Sequence, residues 1–208
     1  MDCASPGSVW IAKFPSRNDA DDIGAWEQVV HELAERAGVV VPKAQLHRFG
    51  SHKSGGHGHH TFLSRRFDRS GRGRLRFASA MTMTITMLER IDGQDSNDAV
   101  SYLELAELKR LGANPASDLT QLWRRIVFSI SVSNTDDHLR NHGFMFEDAG
   151  WALAPPYDMN PDPDGAGLKL NISETANAQD IDLALSVAPQ FRVKQKRAKE
   201  IVARSPQQ

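Results

Sequence analysis

The spacing of apolar residues changes character along the chain, and each change marks an element. Ser8-Val9-Trp10-Ile11-Ala12-Lys13-Phe14 is a run of strand formers stopped by Pro15. Trp26, Val29, Val30, Leu33, Ala34 and Ala37 then recur at helical spacing, with Asp21 and Asp22 in front and Gly38 behind, which predicts an amphipathic helix. Val39 to Val41 and Ala44 to Phe49 read as extended, Ser51 to His60 as a Gly/His-rich loop, and Thr61 to Phe67 as a further strand. The first third is therefore mostly β with one helix.

From Tyr102 onward the period becomes helical. Tyr102, Leu105, Ala106 and Leu108 predict a short helix, and Leu119, Leu122, Trp123, Ile126, Val127 and Ile130 a longer one. That helix runs into a polar loop at Asn134 to Asn141. Gly143 to Phe146 and Trp151 to Ala154 flank Glu147-Asp148-Ala149-Gly150, the pattern of a β-hairpin that returns the chain toward the loop at Tyr157-Asp158. No repeat or long low-complexity segment interrupts this order.

The loop carries the chemistry. An aspartate that accepts a hydroxyl proton, an asparagine five positions later and a second aspartate beyond a hairpin are the arrangement used for metal-assisted phosphoryl transfer. Asp136, Asn141 and Asp158 match that order and spacing. Asp137 is the adjacent alternative for the base, but it stands only four positions from Asn141 and fits the pattern less well. Lys13, on a strand ahead of a helix that carries Glu27, matches the lysine and glutamate pair that holds nucleotide phosphates. The plain readings are a solvated strand-end lysine, a glutamate decorating its helix and aspartates that bond their own turn.

With 208 residues, 40% hydrophobic and 25% charged, the chain belongs among globular proteins with a substantial core, as one large domain or two small lobes. A formal charge of −1 gives no electrostatic case for nucleic-acid binding, although Arg65 to Arg76 is locally basic. Cys3 is the only cysteine, so no internal disulfide forms; with no long apolar span and no signal-like segment near Met1, a cytoplasmic location without membrane attachment is the expectation. His52, His57, His59 and His60 are interleaved with glycines and read as a loop tip rather than a metal site. His138 is expected to brace the polar loop by hydrogen bonding; His138 and His142 have a zinc-compatible spacing but sit in a loop sequence.

Several blocks in one order resemble the HipA family, the serine/threonine kinase toxins of bacterial toxin–antitoxin pairs. Trp10-Ile11-Ala12-Lys13-Phe14-Pro15-Ser16 resembles the family's nucleotide-lysine strand, and Arg66-Phe67-Asp68-Arg69 its interlobe segment. Thr135-Asp136-Asp137-His138 with Asn141 resembles its catalytic loop, and Pro156-Tyr157-Asp158 its metal-aspartate motif.

The resemblance implies an α+β, protein-kinase-like two-lobed fold, with a partial β-rich small lobe at residues 1–67 and a mainly helical large lobe at 68–208. It implies ATP and Mg²⁺ as cofactors, with Asp136 as base or hydroxyl-orienting residue and Lys13, with Glu27, on the phosphates. Asn141 and Asp158 would hold the metal, and the backbone of Arg65, Arg66 and Phe67 would meet the adenine. It also implies a translation-related protein substrate such as an aminoacyl-tRNA synthetase, and a HipB-like antitoxin as partner.

One part of the family pattern is missing from its expected place. Met1 to Gly7 offers a single glycine where a glycine-rich phosphate loop is expected, so the chain resembles the middle of a HipA protein, either a fragment or one part of a split kinase. Two other functions follow as alternatives. One is a catalytically silent truncated kinase that acts as a binding module; the other is a metal-dependent hydrolase built on Asp136, His138, His142 and Asp158.

Overall fold

In the computed structural model the described residues are 8–49, 59–70, 73–87, 100–108 and 112–206. Strand β1 (Trp10–Lys13) is followed by helix α1 (Ile23–Arg36), then β2 (Ala44–His47) and β3 (Thr61–Arg65). These strands form one antiparallel sheet in the order β1-β3-β2, with Lys13 opposite Phe62 and Leu46 opposite the same residue. The expected strands are present but shorter than the sequence runs. β1 omits Ser8, Val9 and Phe14, β3 stops before Arg66, and Val39 to Val41 pairs with no strand among the described residues. Val39 instead closes α1 by donating its amide to the Ala34 carbonyl at 2.9 Å.

A two-stranded ribbon, β4 (Arg69–Ser70) with β5 (Gly73–Arg74), leads into β6 (Arg76–Ser79) and α2 (Ala80–Met87). The sequence reading assigned no element here, and β6 explains why. It is an arginine-led strand of four residues whose register comes from distant β7, with Phe77 opposite Met145. Next come α3 (Tyr102–Glu107), α4 (Pro115–Ser131), β7 (Gly143–Glu147) and β8 (Gly150–Leu153). α5 (Ile181–Val187), a 3₁₀ turn at Ala188–Phe191 and α6 (Gln195–Arg204) close the chain. The predicted hairpin is β7 and β8, joined by Asp148 and Ala149, with Gly150 at φ 123° where a side chain would be strained.

α4 is the central beam. Pro115 starts it at a position where a missing N–H costs nothing, and the predicted apolar set Leu119, Leu122, Trp123, Ile126, Val127 and Ile130 is buried along it. Those residues form the main core with Tyr102, Leu168, Ile172, Phe191 and Ile201. A second, smaller cluster joins Val30 and Ala34 of α1, and Ala37 that follows it, to Phe128 of α4 and to Met159.

Two polar side chains of α4 fasten the same junction. The buried Arg124 guanidinium donates to the Ala37 carbonyl at 2.6 Å, and the Gln121 amide donates to the Gly38 carbonyl at 3.2 Å. They take up orphan carbonyls at the end of α1. The helix that carries Glu27 is thereby bolted to the helix that leads into the Asn134 to Asn141 loop.

Candidate active site

A cavity of about 210 Å³ lies between the β1-β3-β2 sheet and the strand-to-loop segment after β8. At one end it meets Lys13, Glu27 and Asp158, and at the other Phe67, Phe77 and Tyr157. The three rings at that end pack with centroids 5.9 to 6.2 Å apart, Phe67 and Tyr157 in a stacked orientation.

The charged end is built by strand alternation and one helix face. Ile11 and Lys13 both line the cavity because side chains two apart share a face of β1. The Lys13 ammonium donates to Glu27 Oε1 at 2.7 Å and to Asp158 Oδ1 at 2.5 Å. Glu27 stands on the buried face of α1 with Gly24, Val30, His31 and Ala34.

The front of α1 is clamped as firmly as its end. The Asp22 carboxylate caps the helix by accepting from the Ala25 amide, and it also receives the His60 amide at 2.9 Å and lies 2.6 Å from His60 Nδ1. Gly24 is required there, since a Cβ would lie 2.3 Å from the His60 carbonyl oxygen. Burial pushes the Glu27 carboxyl above its ordinary value; Lys13 pulls it down, and Asp158 adds to the rise. Burial also acts to lower Lys13, but Glu27 and Asp158 outweigh it and raise its pKa.

The Asn134 to Asn141 loop separates two adjacent aspartates. Asp136 is exposed, whereas Asp137 is buried at 5% exposure. Asp137 Oδ2 accepts the Tyr102 hydroxyl at 2.6 Å and the Ser129 hydroxyl at 3.3 Å, and His142 Nε2 lies 2.9 Å from Oδ1. Burial by itself would raise the Asp137 carboxyl, but His142, Tyr102 and Arg125 hold it below the usual carboxylate range. Asn141 donates its side-chain amide to the Asp136 carbonyl at 3.0 Å, so these two expected site residues are bonded to each other across the loop.

Asp158 has φ 61°, a left-handed backbone uncommon outside glycine, and its side chain is half exposed. Two bonds stitch its segment to the loop. Tyr157 donates its hydroxyl to the Arg140 carbonyl at 2.5 Å, and the Asn160 amide donates to Asn134 Oδ1 at 3.1 Å.

The structure thus brings Lys13, Glu27 and Asp158 into direct contact and places Asp136 and Asn141 on an adjoining loop, although neither of those two lines the cavity. His138 Nδ1 is buried without a hydrogen-bond partner among the described residues, whereas His142 Nε2 lies against the Asp137 carboxylate. His138 and His142 lie in irregular backbone on either side of the turn at 139–141 rather than on one helix face, and His142 lies against Asp137. Among the described residues no group of three or more histidine, cysteine or acidic side chains converges on one point. His52, His57 and Cys3 lie outside the described residues. No described helix is long and apolar enough to cross a membrane.

At the aromatic end, Arg65, Arg66 and Phe67 all touch the cavity. The Arg65 amide donates to the Lys43 carbonyl at 2.8 Å and the Arg66 amide to the Val9 carbonyl at 2.9 Å, so both are consumed in extending the sheet. The Arg66 side chain turns to Asp68, forming a two-pronged pair at 2.7 and 2.5 Å. Sequence reasoning quoted Tyr157 and Asp68 within their motifs without assigning them a role, and it missed Phe77. Only the contact of β6 with β7 brings Phe77 to the cavity wall.

Three comparisons place this geometry among known proteins. A family model, HipA-like C-terminal domain, matches residues 3–208. A Haemophilus influenzae protein with a provisional kinase name is 24% identical over 148 residues, a match covering 69% of this chain and 43% of that protein. The chain spans less than half the length of the curated relatives it matches.

Among solved structures, HipA of the Shewanella oneidensis toxin–antitoxin system, determined with HipB and its operator DNA, superposes with a TM-score of 0.72 at 18% identity. That match covers 94% of this chain and 48% of that one. The Helicobacter pylori proinflammatory kinase CtkA superposes with a TM-score of 0.60 at 15% identity, covering 96% and 80%. At such identities these structures show the fold, which is α+β and kinase-like. By the match across nearly its whole length, the chain belongs to the HipA-like C-terminal domain family.

Proposed function

We propose that the chain is the catalytic core of a serine/threonine protein kinase that transfers the γ-phosphoryl group of Mg·ATP to a protein hydroxyl. The observation that carries this reading is the contact of Lys13 with both Glu27 and Asp158 at the polar end of an apolar, aromatic-lined cavity. A nucleotide needs that combination, with a flat apolar slot for the base and a cation for the phosphates.

The residues fit the implied cofactors. Asp158 and Asn141 offer hard oxygen donors, and Mg²⁺ is commonly held by one or two carboxylates together with substrate phosphates rather than by an all-protein cage. Bound there, the metal would neutralise charge on the phosphates. Lys13 would give up Asp158 for phosphate oxygens while keeping Glu27. Asp136, exposed beside Asn141, would accept the substrate hydroxyl proton, and the Phe67 amide, without a partner among the described residues, is the donor left to meet the base.

The division into small and large lobes at 67 and 68, a cytoplasmic location, a translation-related substrate such as an aminoacyl-tRNA synthetase, and a HipB-like antitoxin belong to the same proposal. They rest on family membership and on the structural relative.

Thermal denaturation with and without Mg·ATP, joined to a phosphotransfer assay, tests the proposal. The expected result is a nucleotide-dependent rise in melting temperature that Asp158→Asn removes, and transfer that Asp136→Asn abolishes. A folded chain with neither response overturns it. The second reading, a silent binding module or one part of a split kinase, is favoured by β1, which among the described residues is an edge of its sheet and leaves Ile11 half exposed.

A further inference from the structure

We propose that Asp137 is a positioning residue, the hub of a buried polar chain that fixes the active loop and links it to the Asp158 segment. This inference rests on the phosphotransfer reading above. From the hub the chain runs through Ser129, whose hydroxyl donates to Asp137 and accepts the Asn134 side-chain amide at 3.3 Å. Asn134 then receives the Asn160 backbone amide at 3.1 Å, and Asn160 donates to Asp158 Oδ1 at 3.4 Å. On the other side, Tyr102 donates to Asp137 at 2.6 Å and meets the His142 ring edge-on, with centroids 5.7 Å apart.

Tyr102, Ser129, Asn134, Asp137, Asn141 and His142 are all at most 6% exposed. Buried polar groups are costly without partners, so the bonds converging on Asp137 favour the one loop geometry that keeps them. The loop buries Asp137 and leaves its neighbour Asp136 exposed, so the bonds that hold Asp137 in the core also fix how the loop presents Asp136 to a substrate hydroxyl. Through Asn160 the network also reaches the exposed Asp158, so one set of bonds links the proposed base to the proposed metal ligand.

The test combines hydrogen–deuterium exchange with kinetics on the full chain and two variants, Tyr102→Phe and Ser129→Ala. Each variant removes donors to Asp137 with little change of volume. Exchange in the 134–141 loop and around Asn160 is expected to accelerate by about tenfold or more, the factor implied by losing one hydrogen bond to a charged group, while α4 and the β1-β3-β2 sheet keep their protection. The nucleotide-dependent rise in melting temperature should persist, and kcat should fall about tenfold with KM for ATP unchanged.

Loop exchange equal to that of the original chain in both variants overturns the proposal. So does uniform acceleration across all segments, which would make the cluster ordinary core. If the original chain transfers no phosphate but its variants show the local change in exchange, the phosphotransfer reading fails and the positioning role stands.

Discussion

Two buried carboxylates flank the site, and they respond to burial in opposite ways. Glu27 is 4% exposed and Asp137 is 5% exposed, yet burial wins at Glu27, whose pKa is raised, and partners win at Asp137, whose pKa is lowered. The difference lies in the partners. Asp137 has two hydroxyl donors, His142 at 2.9 Å and the favourable charge of Arg125, all fixed by the core. Glu27 has one cation, Lys13, which is 39% exposed and shared with Asp158, and the Asp158 charge works against it. The loop side of the site is preorganised, whereas the sheet side is held by a pair that can be re-partnered.

The strongest way to break that contrast is Asp137→Ala. It strands two hydroxyls and His142 in the core, and a loss of about 3–5 kcal/mol is expected, measured by urea unfolding. Acid titration of the unmodified chain reads the same residue. A carboxyl held below its ordinary value of 3.8 contributes stability that is fully present above that pH and is lost as pH falls through the folded value. Glu27 has the opposite sign. Held above 4.5, its contribution is complete below that pH and is lost as pH rises through the folded value. Asp137→Asn should flatten the acid limb of the stability curve, and Glu27→Gln should raise stability on the neutral side relative to the acid side.

Gly24→Ala tests the station of Glu27 without touching its charge. The added methyl meets the His60 carbonyl oxygen at 2.3 Å, and backbone must yield. A cost of about 1–3 kcal/mol is expected, together with a weaker response to Mg·ATP as α1 moves Glu27 away from Lys13. Full stability in thermal melts would show that α1 is not held where the Asp22 and His60 clamp places it. Lys13→Met comes next, at about 1 kcal/mol. It strands a buried acceptor, but Lys13 is partly solvated and Glu27 can take up a proton instead. Its cost should shrink in acid.

Much of this arrangement was legible in the residues, and the illegible part has a physical cause. Lys13, Glu27, Asp136, Asn141 and Asp158 stood out because their spacing on a strand, a helix and a loop is set by chemistry. The amphipathic pattern of α4 gave its core face, yet it could not show that Arg124 and Arg125 would be buried, since their partners, the Ala37 and Ala154 carbonyls, are distant in sequence. Asp137 was visible only as a neighbour of Asp136. Loops have no period, so nothing local says which of two aspartates turns inward; that is decided by Tyr102 and His142. Tyr102 read as core from its helical spacing, but its hydroxyl partner did not. β6 was missed for the same reason, a short charged strand whose register is supplied by β7.

The smallest expected stability effect belongs to Asp158→Asn, and it sharpens the contrast most. Asp158 is half exposed, and a pair between exposed groups is worth about 0–1 kcal/mol. The substitution removes one partner of Lys13, but it also removes the charge that pushes Glu27 up, and these changes oppose each other. With Lys13 then committed to Glu27 alone, the melting temperature without nucleotide should stay within a degree or two, the shift that a few tenths of a kcal/mol produces in a domain of this size. The response to Mg·ATP should vanish. A large loss of stability instead would mean that Asp158, at φ 61°, anchors the sheet side as Asp137 anchors the loop, and the site would then be rigid on both faces.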